Sequence, residues 1–192
     1  GASAGLLVHD VLENADLDLA RDARDVDAWR AHPEIRPAFV DAARDRGIDE
    51  RYLRHASDLV YRTLTLPLAL TDGTTLPSLV NATQLAREVE FNYPIPAPLP
   101  GSIPASGDDR VRRGLVKGFI DALVVYDDEL WVLDYKTDLL SGDDLARAAD
   151  LRVRNHYAVQ ARLYAIAADK LRGSRRLGGL LYQFVRHDIT VP

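Results

Sequence analysis

The chain has 192 residues, 47% of them hydrophobic and 28% charged, which is typical of a globular protein with one sizeable core. It contains no cysteine, and this excludes disulfide bonds and cysteine-ligated iron–sulfur clusters. No apolar run approaches the roughly 18 residues of a membrane-spanning helix, and no signal peptide opens the chain. We therefore expect a cytoplasmic protein with no membrane partner.

The chain contains no methionine, so Gly1 is not expected to be a natural start. We interpret residues 1–192 as a single domain excised from a longer polypeptide. Its first part, residues 1–85, is expected to be mostly helical, and residues 86–192 are expected to carry the chemistry.

Residues 3–14 have the apolar spacing of a helix, with Gly5, His9 and Glu13 along one side. Residues 16–70 continue as helices with polar faces rich in arginine and aspartate. Three helix breakers within this stretch mark the expected interruptions, namely Pro33, Pro37 and Gly47. Large apolar side chains are expected to form its core: Trp29, Phe39, Tyr52, Leu53, Leu59, Val60 and Leu64.

Residues 87–93 alternate between apolar and charged side chains in the manner of a strand. Val89, Phe91 and Tyr93 are predicted on one face, and Glu88 and Glu90 on the other. The proline-rich stretch 94–109 that follows is predicted to be a long extended loop.

The most informative stretch runs from Gly114 to Asp138, where two apolar runs are separated by a turn signal at Asp127 and Asp128. This pattern predicts a β-hairpin. A two-residue loop would pair Tyr126 with Glu129, and counting back along both strands places Asp121 opposite Asp134. Cross-strand Cβ atoms in such pairs lie about 5 Å apart. Lys136 would then emerge on the same face as Asp134.

Two opposed carboxylates in a buried sheet are destabilising unless a positive charge compensates them. A divalent cation such as Mg²⁺ or Mn²⁺ prefers oxygen ligands of this kind. Lys136 beside it would orient an attacking water or neutralise charge on a phosphate. In outline, Asp121, Asp134 and Lys136 predict metal-assisted phosphodiester hydrolysis. The alternative is a solvated hairpin end with an ordinary aspartate–lysine pair, and a three-residue loop would put the two aspartates on opposite faces.

Beyond the hairpin, Ser141 is predicted to cap a helix from about Asp143, and Asn155 to open a second helix that ends at Arg172. In this second helix Tyr157, Gln160 and Tyr164 share one face. Gln160 lies in an apolar stripe and requires a polar partner, either in a site or within the core. Residues 177–186 return as a strand. The predicted fold is α/β, with a small mixed β-sheet that carries a central hairpin and is flanked by helices.

These segments resemble the PD-(D/E)XK nuclease superfamily and, within it, the C-terminal nuclease domain of the RecB family, the β subunits of exodeoxyribonuclease V. The core of the resemblance is Gly118-Phe119-Ile120-Asp121 followed by Asp134-Tyr135-Lys136-Thr137. Three further segments are similar to the same family: Gly5-Leu6-Leu7-Val8-His9 with Leu12-Glu13, Tyr157-Ala158-Val159-Gln160 with Leu163-Tyr164, and Gly178-Gly179-Leu180-Leu181-Tyr182-Gln183-Phe184-Val185-Arg186.

The resemblance implies a restriction-endonuclease-like fold and a Mg²⁺-dependent deoxyribonuclease, with Mn²⁺ as a second possible metal. It assigns the metal to His9, Asp121, Asp134 and the Tyr135 carbonyl, with Lys136 assisting catalysis. Two residues of the helix after the hairpin, Gln160 and Tyr164, would support the site. Glu90 would be the family's acidic residue on the preceding strand, or else an exposed edge charge.

The resemblance also implies partners: DNA, the helicase region of the same polypeptide, and RecC-like and RecD-like subunits, acting in double-strand break repair and degradation of linear DNA. The net charge of −5 argues against a stand-alone DNA binder and is compatible with a nuclease fed by a motor. Two other classes stay open. One is a catalytically weak module that docks a helicase to its partner subunits, and the other is a metal-dependent phosphohydrolase acting on nucleotides or RNA. A nucleotide cofactor site is not expected, because the chain has no glycine-rich phosphate loop.

Overall fold

The computed structural model describes residues 2–94 and 114–192, with only the main chain of Ala2. Pro94 ends a strand, and the rest of the predicted proline-rich loop lies outside the described residues. The helices are α1 (Ala2–Asn14), α2 (Leu17–Asp22), α3 (Val26–Ala31), α4 (Ile35–Asp45), α5 (Leu53–Thr65), α6 (Leu145–Arg152) and α7 (Ala158–Leu171). The strands are β1 (Leu68–Ala69), β2 (Thr75–Leu76), β3 (Gln84–Pro94), β4 (Leu115–Tyr126), β5 (Glu129–Lys136), β6 (Arg176–Phe184) and β7 (Ile189–Val191).

A five-stranded sheet in the order β3-β4-β5-β6-β7 forms the centre of the molecule. Only the β5–β6 pair is parallel, and its crossover connection contains α6 and α7. A separate antiparallel pair is formed by β1 and β2. The predicted α/β class, with a small mixed sheet that carries a central hairpin, is therefore confirmed.

The hairpin between β4 and β5 has the predicted two-residue turn, because Tyr126 pairs with Glu129. Asp127 has a φ of 53°, in the left-handed region that aspartate tolerates better than most residues do. The turn fixes the register over the following five pairs, from Tyr126–Glu129 to Ala122–Leu133. The alternative of a three-residue loop is thereby excluded.

The sheet is covered on both faces. The N-terminal helices bury Leu12, Val60 and Leu64 in one cluster with Ala122 and Leu133 of the sheet. On the opposite face α7 buries Ala167 and Ala168 against strands β3, β4 and β5. The cluster there also contains Phe91, Ile120 and Val132. The helical part and the sheet therefore share a core, which holds α1 rigidly beside the end of β5.

Three details of the helical part differ from the sequence-based prediction. Its helices end at Thr65, and Leu68–Ala69, within the stretch predicted to be helical, form strand β1. Pro37 does not interrupt a helix but lies in the first turn of α4, where its missing N–H has no helical acceptor to lose. Tyr52 is not a core residue: it lies in a 3₁₀ turn at Glu50–Tyr52 and is half exposed, and its hydroxyl accepts a hydrogen bond from Arg51. No helix among the described residues is long and apolar enough to cross a membrane.

The helix predicted to open at Asn155 instead continues from α6. Asp144 caps α6 by accepting the Arg147 N–H at 2.9 Å, and a π turn at Val153–Tyr157 leads directly into α7. A π turn inserts one extra residue into the helical register, and such turns occur frequently at functional sites. Tyr157 ends this turn and faces the end of β5.

Candidate active site

The site begins where β4 and β5 separate. Their ladder ends at the pair Ala122–Leu133, one step short of Asp121 and Asp134. Beyond this point β5 remains paired with β6 only, through Lys136. The Asp121 carboxylate takes the place of the missing strand partner, since its Oδ2 accepts the Tyr135 N–H at 2.7 Å.

The side chains of β4 change their alternation at Asp121. Ala122 packs with the N-terminal helices, whereas Ile120 packs with α7, although regular alternation would put both on one face. The neighbouring strand is irregular at the same level, because Glu88 has a φ of 48°. This conformation costs a non-glycine residue about 1–3 kcal/mol. The pairs Arg87–Ala122 and Val89–Ile120 on either side place Glu88 opposite Asp121.

Helix α1 brings His9 to this point. The His9 Nδ1 atom lies 3.6 Å from Asp121 Oδ2, and its ring meets the Tyr135 ring edge-on at 6.0 Å between centroids. Burial alone would lower the pKa of His9, but the adjacent Asp121 carboxylate, with a smaller contribution from Asp134, outweighs it and the pKa is raised. His9 is therefore held by a carboxylate that also holds the main chain of β5.

The close approach of α1 depends on Gly5. A Cβ atom at Gly5 would lie 2.5 Å from Thr137 Oγ1, immediately after the end of β5. No real Cβ contact is that short, so a side chain here would push α1 away from the strand and carry His9 with it.

Gly5→Ala is accordingly expected to destabilise the domain by about 1–3 kcal/mol through overpacking. Thr137→Ala removes the Oγ1 atom and leaves only the Thr137 Cβ, 3.5 Å away, an ordinary contact. The double variant should therefore regain the loss and gain up to about 1 kcal/mol from the better helix propensity of alanine. Urea denaturation of all four proteins measures this cycle, and additive effects of the two changes would contradict it.

Asp134 is the buried acid of the site, with 3% of its surface exposed. Its Oδ1 accepts a hydrogen bond from Gln160 Nε2 at 3.0 Å and lies 3.2 Å from the Tyr164 hydroxyl. Its Oδ2 forms an ion pair with Lys136 Nζ. Desolvation, and after it the like charge of Asp121, raises the pKa of Asp134 to about 6, and the Lys136 ammonium opposes that rise.

Gln160 and Tyr164 connect the Asp134 carboxylate with the Lys136 ammonium. Gln160 Oε1 accepts from Lys136 Nζ at 3.1 Å, and its Nε2 also donates to the Tyr164 hydroxyl at 2.9 Å. The Tyr164 hydroxyl donates to the Phe119 carbonyl at 2.8 Å, which anchors the network to β4. The polar partner that Gln160 was predicted to require is thus the site itself.

The Lys136 ammonium is also enclosed by aromatic rings. Its Nζ lies 4.0 Å from the centroid of Tyr157, and the Tyr157 hydroxyl donates to Asp138 Oδ2 at 2.9 Å. Tyr182 of β6 stacks on Tyr157 with 5.8 Å between ring centroids. A cation over an aromatic face is stabilised without losing its charge. This surrounding keeps the side chain of Lys136 in one orientation beside Asp134.

The structure thus brings together seven of the residues singled out from the sequence, which are His9, Asp121, Asp134, Tyr135, Lys136, Gln160 and Tyr164. Glu90 lies apart from them: its side chain is half exposed and forms an ion pair with Lys117 at 3.1 Å. Glu88 is the acid nearest Asp121 on this strand, and burial and the charges of Glu13 and Asp121 raise its pKa. Sequence reasoning missed Glu88 because β3 and β4 are not joined by a tight turn, so their register has no local signal.

The donor types at the site suit a hard divalent cation. Asp121 and Asp134 offer carboxylate oxygens and His9 offers an imidazole nitrogen. The Asp134 Oδ2 atom is buried without a well-formed hydrogen bond, which leaves it available as a ligand. Among the described residues, no three histidine, aspartate or glutamate side chains are already arranged so that they could hold a metal ion together. A bound ion would therefore have to compete with Lys136 for Asp134 and with Tyr135 N–H for Asp121.

Comparison with known proteins gives one family. A model of the PD-(D/E)XK nuclease superfamily matches residues 1–191. The RecBCD enzyme subunit RecB of Mycolicibacterium smegmatis is 32% identical over 97% of this chain and 21% of its own length. The ATP-dependent helicase/nuclease subunits A of Bacillus velezensis and Listeria welshimeri are 32% and 29% identical, over 55% and 53% of this chain and 8% of their own lengths. The chain therefore spans about a fifth or less of these relatives.

Proposed function

Because this chain belongs to the PD-(D/E)XK nuclease superfamily, we propose that it is the DNA-cleaving domain of a RecB-like helicase–nuclease and hydrolyses phosphodiester bonds with Mg²⁺. Nucleases of this superfamily generally use divalent metal ions. The observation that carries the proposal is the buried Asp134, which is linked to Lys136 by an ion pair and through Gln160. It lies where β4 and β5 separate and Asp121 accepts the hydrogen bond from Tyr135 N–H.

His9, Asp121, Asp134 and the Tyr135 carbonyl would hold the metal. When bound, a divalent ion supplies a water of lowered pKa and a polarised phosphate. The water oxygen would form the new bond to phosphorus and give its proton to solvent, while the bond from phosphorus to a sugar oxygen would break and that oxygen would take a proton from solvent. Mn²⁺ fits the same donors.

Lys136 contributes a positive charge at the place where negative charge develops on the phosphate. Its side chain is 12% exposed, and a charge in such a site interacts more strongly than it does in water. Gln160 holds Lys136 through its Oε1 atom and Asp134 through its Nε2 atom, so it fixes the distance between them. Tyr164 anchors this unit to β4 through the Phe119 carbonyl.

The proposal also includes a location and partners, for which the names of the relatives give support. We propose that the domain follows a helicase region in the same polypeptide, works in the cytoplasm with RecC-like and RecD-like subunits, and acts in double-strand break repair and degradation of linear DNA. The acidic surface supports delivery of DNA by a motor rather than capture from solution.

Cleavage of linear and circular single-stranded DNA by the purified domain tests the proposal. With Mg²⁺ we expect cleavage that EDTA abolishes, and the circular substrate separates endonuclease from end-dependent activity. Absence of cleavage together with absence of metal-dependent stabilisation would contradict the proposal and favour a module that docks subunits. Cleavage of mononucleotides but not of DNA would favour a nucleotide phosphohydrolase.

Glu88 is expected to contribute to metal affinity, whereas Glu90 is not. Glu88 lies opposite Asp121 on the face of α1, and Glu90 is two residues further along the strand in an exposed pair with Lys117. Glu88→Gln should raise the Mg²⁺ concentration needed for half-maximal cleavage by about 10-fold to 100-fold. Glu90→Gln is the matched control and should change it less than twofold. Equal effects of the two changes would show that only net charge matters.

A further inference from the structure

The strand pair β3–β4 extends past the active site as a two-stranded ribbon. Residues 115–120 of β4 pair with residues 89–94 of β3, whereas the ladder between β4 and β5 begins only at Ala122. Within the described part of the chain, no strand pairs with the other edge of β4 over this stretch. The ribbon therefore begins at Asp121 and leads outward from the site.

The two faces of the ribbon differ. The inner face packs on α7: Ile120 is buried, and Gly118 leaves room for Phe91, whose Cζ lies 2.6 Å from where a Cβ would be. The outer face carries Lys117 and Phe119, and Asp121 follows them on the same side. Phe119 is 45% exposed, and Leu115, which is 68% exposed, lies four residues before it on the same face.

Phe119 and Lys117 are arranged as a pair. The Lys117 Nζ atom lies 5.7 Å from the centroid of the Phe119 ring, and on its other side it pairs with Glu90. The main chain of Phe119 is fixed, because its carbonyl accepts the hydrogen bond from Tyr164. An exposed aromatic ring on a rigid strand, next to a cation, is the combination that stacks an unpaired base and contacts its phosphate.

The distance to the reacting group fits one nucleotide. Two residues along a strand span about 7 Å, so the Phe119 ring lies one short step from Asp121, and Lys117 lies one step further. The aromatic part of the patch is one ring, bordered by Lys117 and by the β3 residues Glu90 and Asn92, and Leu115 adds one aliphatic side chain beyond Lys117. Such a patch is too small for a typical protein docking surface. Its size and the ring beside a cation favour a nucleotide as its occupant.

Resting on the nuclease function proposed above, we propose that Phe119 and Lys117 form a nucleotide subsite next to the scissile phosphate. The unpaired base adjoining the cleaved bond stacks on the Phe119 ring. The next phosphate contacts Lys117 Nζ and replaces its Glu90 partner. The subsite thereby positions single-stranded DNA along the outer face of the ribbon.

Photocrosslinking tests the contact without requiring cleavage. A single-stranded oligonucleotide that carries 5-iododeoxyuridine at successive positions is irradiated with the Lys136→Ala variant, and crosslinked peptides are identified by mass spectrometry. We expect the crosslink at Phe119 at one or two adjacent positions of the oligonucleotide. Crosslinks confined to other peptides would overturn the proposal, whether or not the domain cleaves DNA.

Steady-state kinetics of the cleaving domain give the second readout. Phe119→Ala should raise KM for the single-stranded oligonucleotide about tenfold and leave kcat within about twofold, and Phe119→Trp should restore KM. Lys117→Gln should raise KM and reduce its dependence on salt concentration. Ile166→Ala removes an equally exposed apolar side chain from α7 and serves as the control. An unchanged KM in Phe119→Ala would overturn the subsite and leave the nuclease function standing, whereas absence of cleavage by the unsubstituted domain would count against the nuclease function alone.

Discussion

Replacing Lys136 with alanine is expected to reduce kcat for DNA cleavage by at least about a hundredfold. The change removes the only ammonium group beside Asp134 among the described residues and leaves a cavity beside the stacked rings of Tyr157 and Tyr182. It also removes the charge that opposes the raised pKa of Asp134, so that more of this carboxyl is protonated near neutral pH. Both effects act on the reaction in the same direction.

The fold should survive this replacement. A buried carboxylate that loses its counter-charge can take up a proton, and the cost is then limited to the lost packing of the lysine stem. We expect circular dichroism to be unchanged and the melting temperature to fall by no more than about 8 °C. Lys170→Ala, which removes an exposed lysine from α7, is the control for loss of positive charge. If Lys136→Ala kept more than about a tenth of the original kcat, the assigned role of Lys136 would be wrong.

Asp134→Asn tests the carboxylate of the Asp134–Lys136 ion pair while leaving the Lys136 ammonium in place. The amide keeps the size of the carboxylate and its contacts with Gln160 and Tyr164, but it is a poor ligand for a divalent cation and cannot pair with Lys136. We expect a loss of cleavage similar to that of Lys136→Ala. The two changes together should cost little more than either alone, because both break the same unit.

In metal-free buffer, the free energy of unfolding is expected to fall as the pH rises from about 4 to about 7. The folded pKa of Asp134, about 6, lies above its ordinary value of 3.8, so the folded protein holds this proton more tightly than the unfolded chain does. The stability that protonated Asp134 contributes to the folded state is therefore present at low pH and is lost as the pH rises through about 6. The pKa of His9 is also raised, and the stability from its protonated form is lost in the same direction.

Asp134 contributes on the order of 1–3 kcal/mol to this change in the free energy of unfolding, and urea denaturation between pH 4 and 8 measures it. Other carboxylates titrate in this range, so the readout is the difference between the unsubstituted domain and Asp134→Asn. The variant should lose less stability on going to high pH. Mg²⁺ should stabilise the unsubstituted domain more at pH 8 than at pH 5, because it binds the ionised carboxylates. Identical pH profiles of the two proteins, with and without Mg²⁺, would contradict this account.

The hairpin and the helix after it were predictable because their signals are local. The Asp127-Asp128 turn sets the register from Tyr126–Glu129 onward, so the level of Asp121 and Asp134 follows by counting. The shared face of Gln160 and Tyr164 follows from helical periodicity alone, and their contacts with Asp134 agree with it. The roles assigned to these residues in catalysis remain predictions.

What the sequence did not reveal is set by long-range pairing and by backbone irregularity. The position of Glu88 opposite Asp121 depends on the β3–β4 register, which no turn residue determines. The left-handed backbone at Glu88 has no signal either, since glutamate is not favoured there. Similarly, the π turn at Val153–Tyr157 places Tyr157 against Lys136. This is a tertiary contact, and local helix-capping signals do not predict it.

Asp134 and Lys136 lie on β5, the middle strand of the five. Residues 129–133 of β5 are paired on both sides, whereas residues 134–136 pair with β6 and are tied to β4 through the hydrogen bond from Tyr135 N–H to Asp121. Local opening in proteins takes place at edges and termini, where few contacts are broken, and the middle of a sheet opens only with the whole molecule. Because Asp134 and Lys136 directly follow the fully paired stretch of β5 and are nearly buried, we expect heat inactivation of this domain to follow its global unfolding.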